Sequence, residues 1–177
     1  MTDNAVTDFK SVEVALSLGS NIERYRHISG ALDALADAFG ELVCSPVYES
    51  ESVGFDGSPF LNSVVIVSTQ LPLADVVTLL KRIEDDHGRN RSGPKFSPRT
   101  LDIDVLTYGD AVGELDGVEL PRAETAKNAF VLKPLADVRP QAHLPGTTDS
   151  YAQLWAAYPK DQQKLWRVPF RWRDLTL

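Results

Sequence analysis

Twice within its first 108 residues the chain switches its apolar spacing from two to about 3.6 and back. Such a chain must lay helices against a sheet. Val12, Val14, Leu16 and Leu18 alternate up to Gly19-Ser20-Asn21, where Ser20 or Asn21 is expected to cap a helix. Ile28, Leu32, Leu35 and Phe39 then recur at helical spacing, with Gly40 placed to end the helix. Strands are expected over about 42–48 and 61–67. Pro72 opens a second helix whose Val76, Val77, Leu80 and Ile83 share a face, and Gly88 closes it. A strand over 102–108 and a Gly109-Asp110 turn follow. This β-α-β-β-α-β order is that of a ferredoxin-like fold, mixed α/β (α+β), with helices packed on a mainly antiparallel sheet. Beyond residue 111 the pattern weakens to a loop with short helical turns over 119–135 and a helix over 150–157. No linker divides the chain, so one domain is expected over residues 1–177, with 1–10 a disordered extension.

Since that fold hosts many functions, it assigns none. A net charge of −7 argues against a general nucleic-acid binder. The lone Cys44 excludes an intrachain disulfide and a thiolate metal cluster, and its apolar flanks suit a packed thiol. The first ten residues lack a basic and apolar leader, and no apolar run reaches the length of a membrane span. A cytoplasmic protein with no membrane partner is expected. P-loop and dinucleotide-fold glycine motifs are missing. His27, His87 and His143 have no metal-ligand spacing, and His27 and His87 are expected at a surface or a helix end.

Residues 97–108 read SPRTLDIDVLTY. On a strand, Asp102 and Asp104 project from one face with their backbones about 7 Å apart. Two like charges so placed repel unless a cation sits between them, and Mg²⁺ completed by phosphate oxygens is one answer. A solvated strand face with two unrelated acids is the other. Two connections are long for a compact domain. One, over 49–60, carries Gly54, Gly57 and Pro59; the other, over 89–99, carries Arg89, Arg91, Lys95 and Arg99 among Gly93, Pro94 and Pro98. A basic loop leading into paired carboxylates has the ingredients of a polyphosphate–metal site, and its Gly and Pro suit a lid.

RTLDIDVLTYG resembles the signature of the 6-hydroxymethyl-7,8-dihydropterin pyrophosphokinase family of folate biosynthesis, usually close to PRTLDLDILLYG. LSLGSNI at 16–22, VYESESVGF at 47–55, FLNSVV at 60–65, RIEDDHGRNR at 82–91 and FVLKPLADV at 130–138 are similar to further family blocks, in the family's order. The resemblance implies a ferredoxin-like fold and Mg²⁺-dependent transfer of pyrophosphate from ATP to the pterin hydroxymethyl group, with release of AMP. It implies that Asp102 and Asp104 hold two Mg²⁺ ions and that Arg89 and Arg99 act on the ATP phosphates. Phe60 and Phe130 would sandwich the pterin, Asn62 would bond its edge, and Gly54 would offer main-chain contacts. Glu84, Phe96 and Arg122 would join Arg89 and Arg99 on the nucleotide side. Association with other folate-pathway enzymes is a further implication.

The departures from the pattern lie in PRAETAKNAF at 121–130, where Arg122 replaces an expected histidine, Ala123 a frequent aromatic and Asn128 an expected arginine. Ser92 and Ser52 replace a basic lid residue and a loop proline. Two lost charge-assisted hydrogen bonds weaken ATP handling by about 3–6 kcal/mol unless Arg122, Lys127, Arg91 or Lys95 compensates. A catalytically weak relative that binds pterin or nucleotide as a folate-pathway subunit or regulator is therefore the alternative to an active enzyme. A different two-metal nucleotide enzyme has only the aspartate pair in its favour.

Overall fold

The computed structural model describes residues 10–51, 58–88 and 100–177. Its main sheet has the order β5-β1-β4-β3-β8 and is antiparallel throughout. The strands are β1 (Val12–Ser20), β3 (Val47–Ser50), β4 (Phe60–Thr69), β5 (Asp102–Tyr108) and β8 (Leu165–Val168), while the short β2 (Val43–Cys44) also pairs with β4. Helix α1 (Arg24–Phe39) leads from β1 towards β2 and β3, and α2 (Leu73–Asp86) leads from β4 to β5. The ferredoxin-like element order is thus present. The expected strand over 42–48 is two pieces, because at Ser45 the ladder is half replaced. Its N–H still donates to the Val64 carbonyl at 2.9 Å, but its hydroxyl accepts the Val64 N–H at 2.9 Å and donates to the Pro46 carbonyl.

α1 and α2 turn Ile28, Leu32, Leu35, Val76, Leu80 and Ile83 onto one face of the sheet, against Leu16, Leu18, Val65, Val67, Ile103 and Val105. The consecutive apolar run Val64 to Val67 is buried throughout, so β4 needs cover on both faces. The second cover is α3 (Ala129–Val138), whose Val131, Leu132 and Leu135 pack with Ala15, Val64, Ile66 and Leu106. Sequence reading expects only a loop and short turns up to residue 135. Pro134 stands inside this helix, past its first turn, so it supplies no N–H for the Phe130 carbonyl. Helix α4 (Tyr151–Ala157) starts at Ser150, which makes a reciprocal capping box with Gln153.

Neither expected cap of α1 serves it. Glu23 holds that place with a left-handed backbone (φ 43°), whereas Ser20 donates to the Thr100 carbonyl at 2.5 Å and Asn21 to the Ser58 carbonyl at 3.2 Å. These bonds tie the end of β1 to the approaches of β5 and β4. His27 is buried within α1 (6% exposed), contrary to the surface position expected for it. Its Nδ1 lies 2.7 Å from Nδ1 of His87, the residue that ends α2. Gly30 makes this possible, since a Cβ there would stand 2.4 Å from the His87 ring. Cys44 is half-buried and burial pushes its thiol up to about 11, as suits a packed side chain.

The aromatic C-terminal segment packs on the core. Phe170 and Trp172 join the α1–α2 side, Phe170 stacks on Tyr25 at 5.7 Å, and Trp155 stacks on Tyr158 at 5.4 Å. β9 (Arg171–Trp172) and β10 (Leu175–Thr176) form a two-stranded ribbon beside them.

Candidate active site

Strand register brings the candidate residues into rows. Asp102 pairs with Gly19, Gly19 with Asn62, and Asn62 with Tyr48. The next row runs from Asp104 through Ser17 to Val64. Paired residues share a face, so both carboxylates and the Asn62 amide stand on the face that α3 covers further along. Gly19 leaves a hollow between Asp102 and Asn62. A Cβ there would lie 3.7 Å from Asn62 Oδ1 and 3.7 Å from the Phe60 ring. Asn62 is 5% exposed, and its Nδ2 donates to Ser50 Oγ at 2.8 Å, so its orientation is fixed from below.

The aspartates differ in what surrounds them. Burial first, then the neighbouring Asp102 charge, pushes Asp104 up to about 7, against the attraction of Arg122. Arg122 Nη2 stands 3.5 Å from Asp104 Oδ1, and its Nε bonds the Glu124 carboxylate. A bulge delivers this arginine: the β1–β5 register steps over Leu106, whose carbonyl accepts the Arg122 N–H at 2.8 Å. The approach to it is the hairpin of β6 (Gly113–Leu115) and β7 (Val118–Leu120), turned at Asp116-Gly117 with positive φ at both residues.

Glu84 lies on α2, only 4% exposed, and accepts the Ile103 N–H at 2.7 Å. A carboxylate so placed holds β5 from behind, between the two aspartates, and adds negative charge near Asp104. The arrangement suits a divalent cation. Among the described residues no three His, Cys, Asp or Glu side chains converge, so Asp102 and Asp104 would offer hard oxygens and the rest of the shell must come from substrate or water. At Asp104 burial and the Asp102 charge outweigh the attraction of Arg122.

Phe60 opens β4, half-buried beside the hollow. Phe130 is the second residue of α3, half-buried against the α3-side core. Asn128, just before α3, accepts from Gln163 Nε2 at 3.0 Å. Arg89, Arg99, Gly54 and Phe96 lie outside the described residues. The structure thus gathers Asp102, Asp104, Asn62, Phe60 and Arg122 on one face and sets Glu84 beneath them. Sequence reading overlooked Ser50, Gly19 and Gln163. The first two sit inside recognised motifs, but only strand pairing shows what each faces.

A family model for 7,8-dihydro-6-hydroxymethylpterin-pyrophosphokinase (HPPK) matches residues 15–140. The chain is 36% identical over 139 residues to the 2-amino-4-hydroxy-6-hydroxymethyldihydropteridine pyrophosphokinase of Pseudomonas aeruginosa, covering 75% of this chain and 83% of that protein. The chain belongs to the HPPK family. The Porphyromonas gingivalis protein of the same name is 36% identical over 136 residues, 73% of this chain and 92% of its own length. Other HPPK relatives are larger. A folate synthesis bifunctional protein of Arabidopsis thaliana is 35% identical over 130 residues, 71% of this chain but 27% of that one. A crystal structure of Plasmodium falciparum HPPK-DHPS superposes with a TM-score of 0.68 at 15% identity, covering 90% of this chain. This chain spans 47% of that bifunctional one, and the likeness supports the HPPK fold. The HPPK match ends at residue 140, before α4 and β8. No helix among the described residues is long and apolar enough to cross a membrane.

Proposed function

We propose that the chain catalyses Mg²⁺-dependent transfer of the terminal pyrophosphate of ATP to 6-hydroxymethyl-7,8-dihydropterin in the cytoplasm. The observation that carries this reading is the acidic pair beside the Gly19 hollow, walled by Asn62 and Phe60, in a chain of the HPPK family. The pterin hydroxymethyl oxygen forms a bond to the β-phosphorus, the bond from that phosphorus to the α-phosphate oxygen breaks, and AMP leaves; the hydroxyl proton passes to solvent. Asp102 and Asp104 would hold two Mg²⁺ ions, whose charge would offset that of the phosphate oxygens.

The side chains of this protein position the reactants. Asn62, held by Ser50, presents a fixed amide to the edge of a flat heterocycle, and Phe60 and Phe130 offer aromatic faces for stacking. Asp102 and Asp104 would hold the metal at the end of β5, and Glu84 keeps β5 in place. Arg122 guards Asp104 in the free protein and is close enough to turn to a phosphate. Arg89, Arg99 and Phe96 extend the nucleotide side and Gly54 the pterin side on the strength of the resemblance. The larger relatives make association with a further folate-pathway enzyme part of this reading.

A coupled AMP-release assay with both substrates and Mg²⁺ tests it. AMP release that needs all three is expected, and its absence from folded protein would overturn the reading. One observation favours a weaker enzyme: Asn128 stands where an arginine is expected and is taken up by Gln163. Pterin binding in calorimetry without turnover would select that alternative.

A further inference from the structure

The segment beyond the family match reaches back to both walls of the proposed pterin pocket. β8 pairs with β3, setting Leu165 opposite Ser50, and Ser50 is opposite Phe60. Two residues before Leu165, Gln163 bonds the start of α3 twice. Its Oε1 accepts the Ala129 N–H at 2.8 Å, and its Nε2 donates to Asn128 Oδ1 at 3.0 Å. The Tyr158 hydroxyl donates to the Lys127 carbonyl at 2.7 Å, one residue earlier.

The first N–H groups of a helix have no partner within it and fray unless capped. Asn128, a residue type suited to capping, makes no side-chain cap here. Gln163 takes an orphan N–H in its place and holds the Asn128 amide, and Phe130 follows directly after Ala129. We propose that Gln163 is a positioning residue for the pterin, clamping the first turn of α3 so that Phe130 keeps its place. This rests on the assignment of Phe130 to the pterin. Asn128 is thereby committed to a structural pair, a use for a position where the family expects arginine.

The test compares the parent chain with Gln163→Ala and Gln163→Glu in steady-state AMP release, varying pterin and ATP separately. Glutamate keeps an acceptor for the Ala129 N–H, and the Asn128 amide can rotate to donate to it. For Gln163→Ala the KM for pterin is expected to rise about five- to tenfold, the size of one lost helix cap. The KM for ATP should stay within twofold of the parent, and Gln163→Glu should restore the pterin KM. An unchanged pterin KM in Gln163→Ala, or an equal rise for both substrates, would overturn the assignment. So would a Gln163→Ala chain that fails to fold while Gln163→Glu folds, since Gln163 would then serve general stability. A parent chain without turnover would instead remove the function on which the assignment rests.

Discussion

At Asp104 charge and shape conflict. Its carboxyl is pushed up to about 7 because burial and Asp102 outweigh Arg122, so the ionised side chain weakens the fold that presents it. Asp104→Asn removes that charge. The variant should resist urea better than the parent at pH 8 without divalent cations, by about 1–2 kcal/mol after allowance for solvent screening. AMP release should fall by at least about 10³-fold, the scale of losing a metal's charge stabilisation. Asp102→Asn should lose activity to a similar degree. A variant that is both less stable and fully active would contradict this account of Asp104. The alternation in LDIDVLTY already places the two carboxylates on one face. What it cannot show is Arg122, because the bulge at Leu106 and the turn after β7 carry that side chain back across 18 residues of sequence.

Among the elements, α1 and α2 meet through a pair of imidazoles. The His27 and His87 nitrogens are 2.7 Å apart, so one must donate and the other accept, and a second proton has no place. Burial holds both below the ordinary value of 6.5, with Arg26 adding to the effect and Glu23 and Asp86 opposing it. A base lowered in the folded chain binds protons more readily when unfolded. Stability from this pair is therefore whole above about pH 6.5 and is lost as the pH falls below it. The Tm should drop between pH 7 and 5.5, and His87→Gln should drop less over the same interval. Parallel curves for the two proteins would contradict the role of the pair. Helical spacing identifies both helices, yet it leaves His27 at a surface or helix end. Tertiary packing buries it, with the His87 ring seated over Gly30 and in contact with it.

For the whole molecule, the C-terminal segment decides how much of the sheet is enclosed. β8 extends the sheet beside β3, Phe170 and Trp172 complete the α1–α2 core, and Gln163 and Tyr158 secure α3. Phe170→Ala should destabilise the protein by about 3–5 kcal/mol in urea unfolding, because it opens a cavity in a buried cluster and removes the Tyr25 stack. A loss below about 1 kcal/mol would mean the segment only rests on the surface. The sequence by itself determined the strand–helix alternation, the face of the two aspartates and the family motifs, since each is a local period or a contiguous block. Tertiary structure alone decided the third layer formed by α3, the Gly19 hollow between Asp102 and Asn62, and the Arg122 contact to Asp104. The physical reason is that these depend on register between strands and on cover for the second face of β4. The opening alternation therefore set the sheet and its acidic pair, and long-range packing brought Asn62 and Arg122 to that pair.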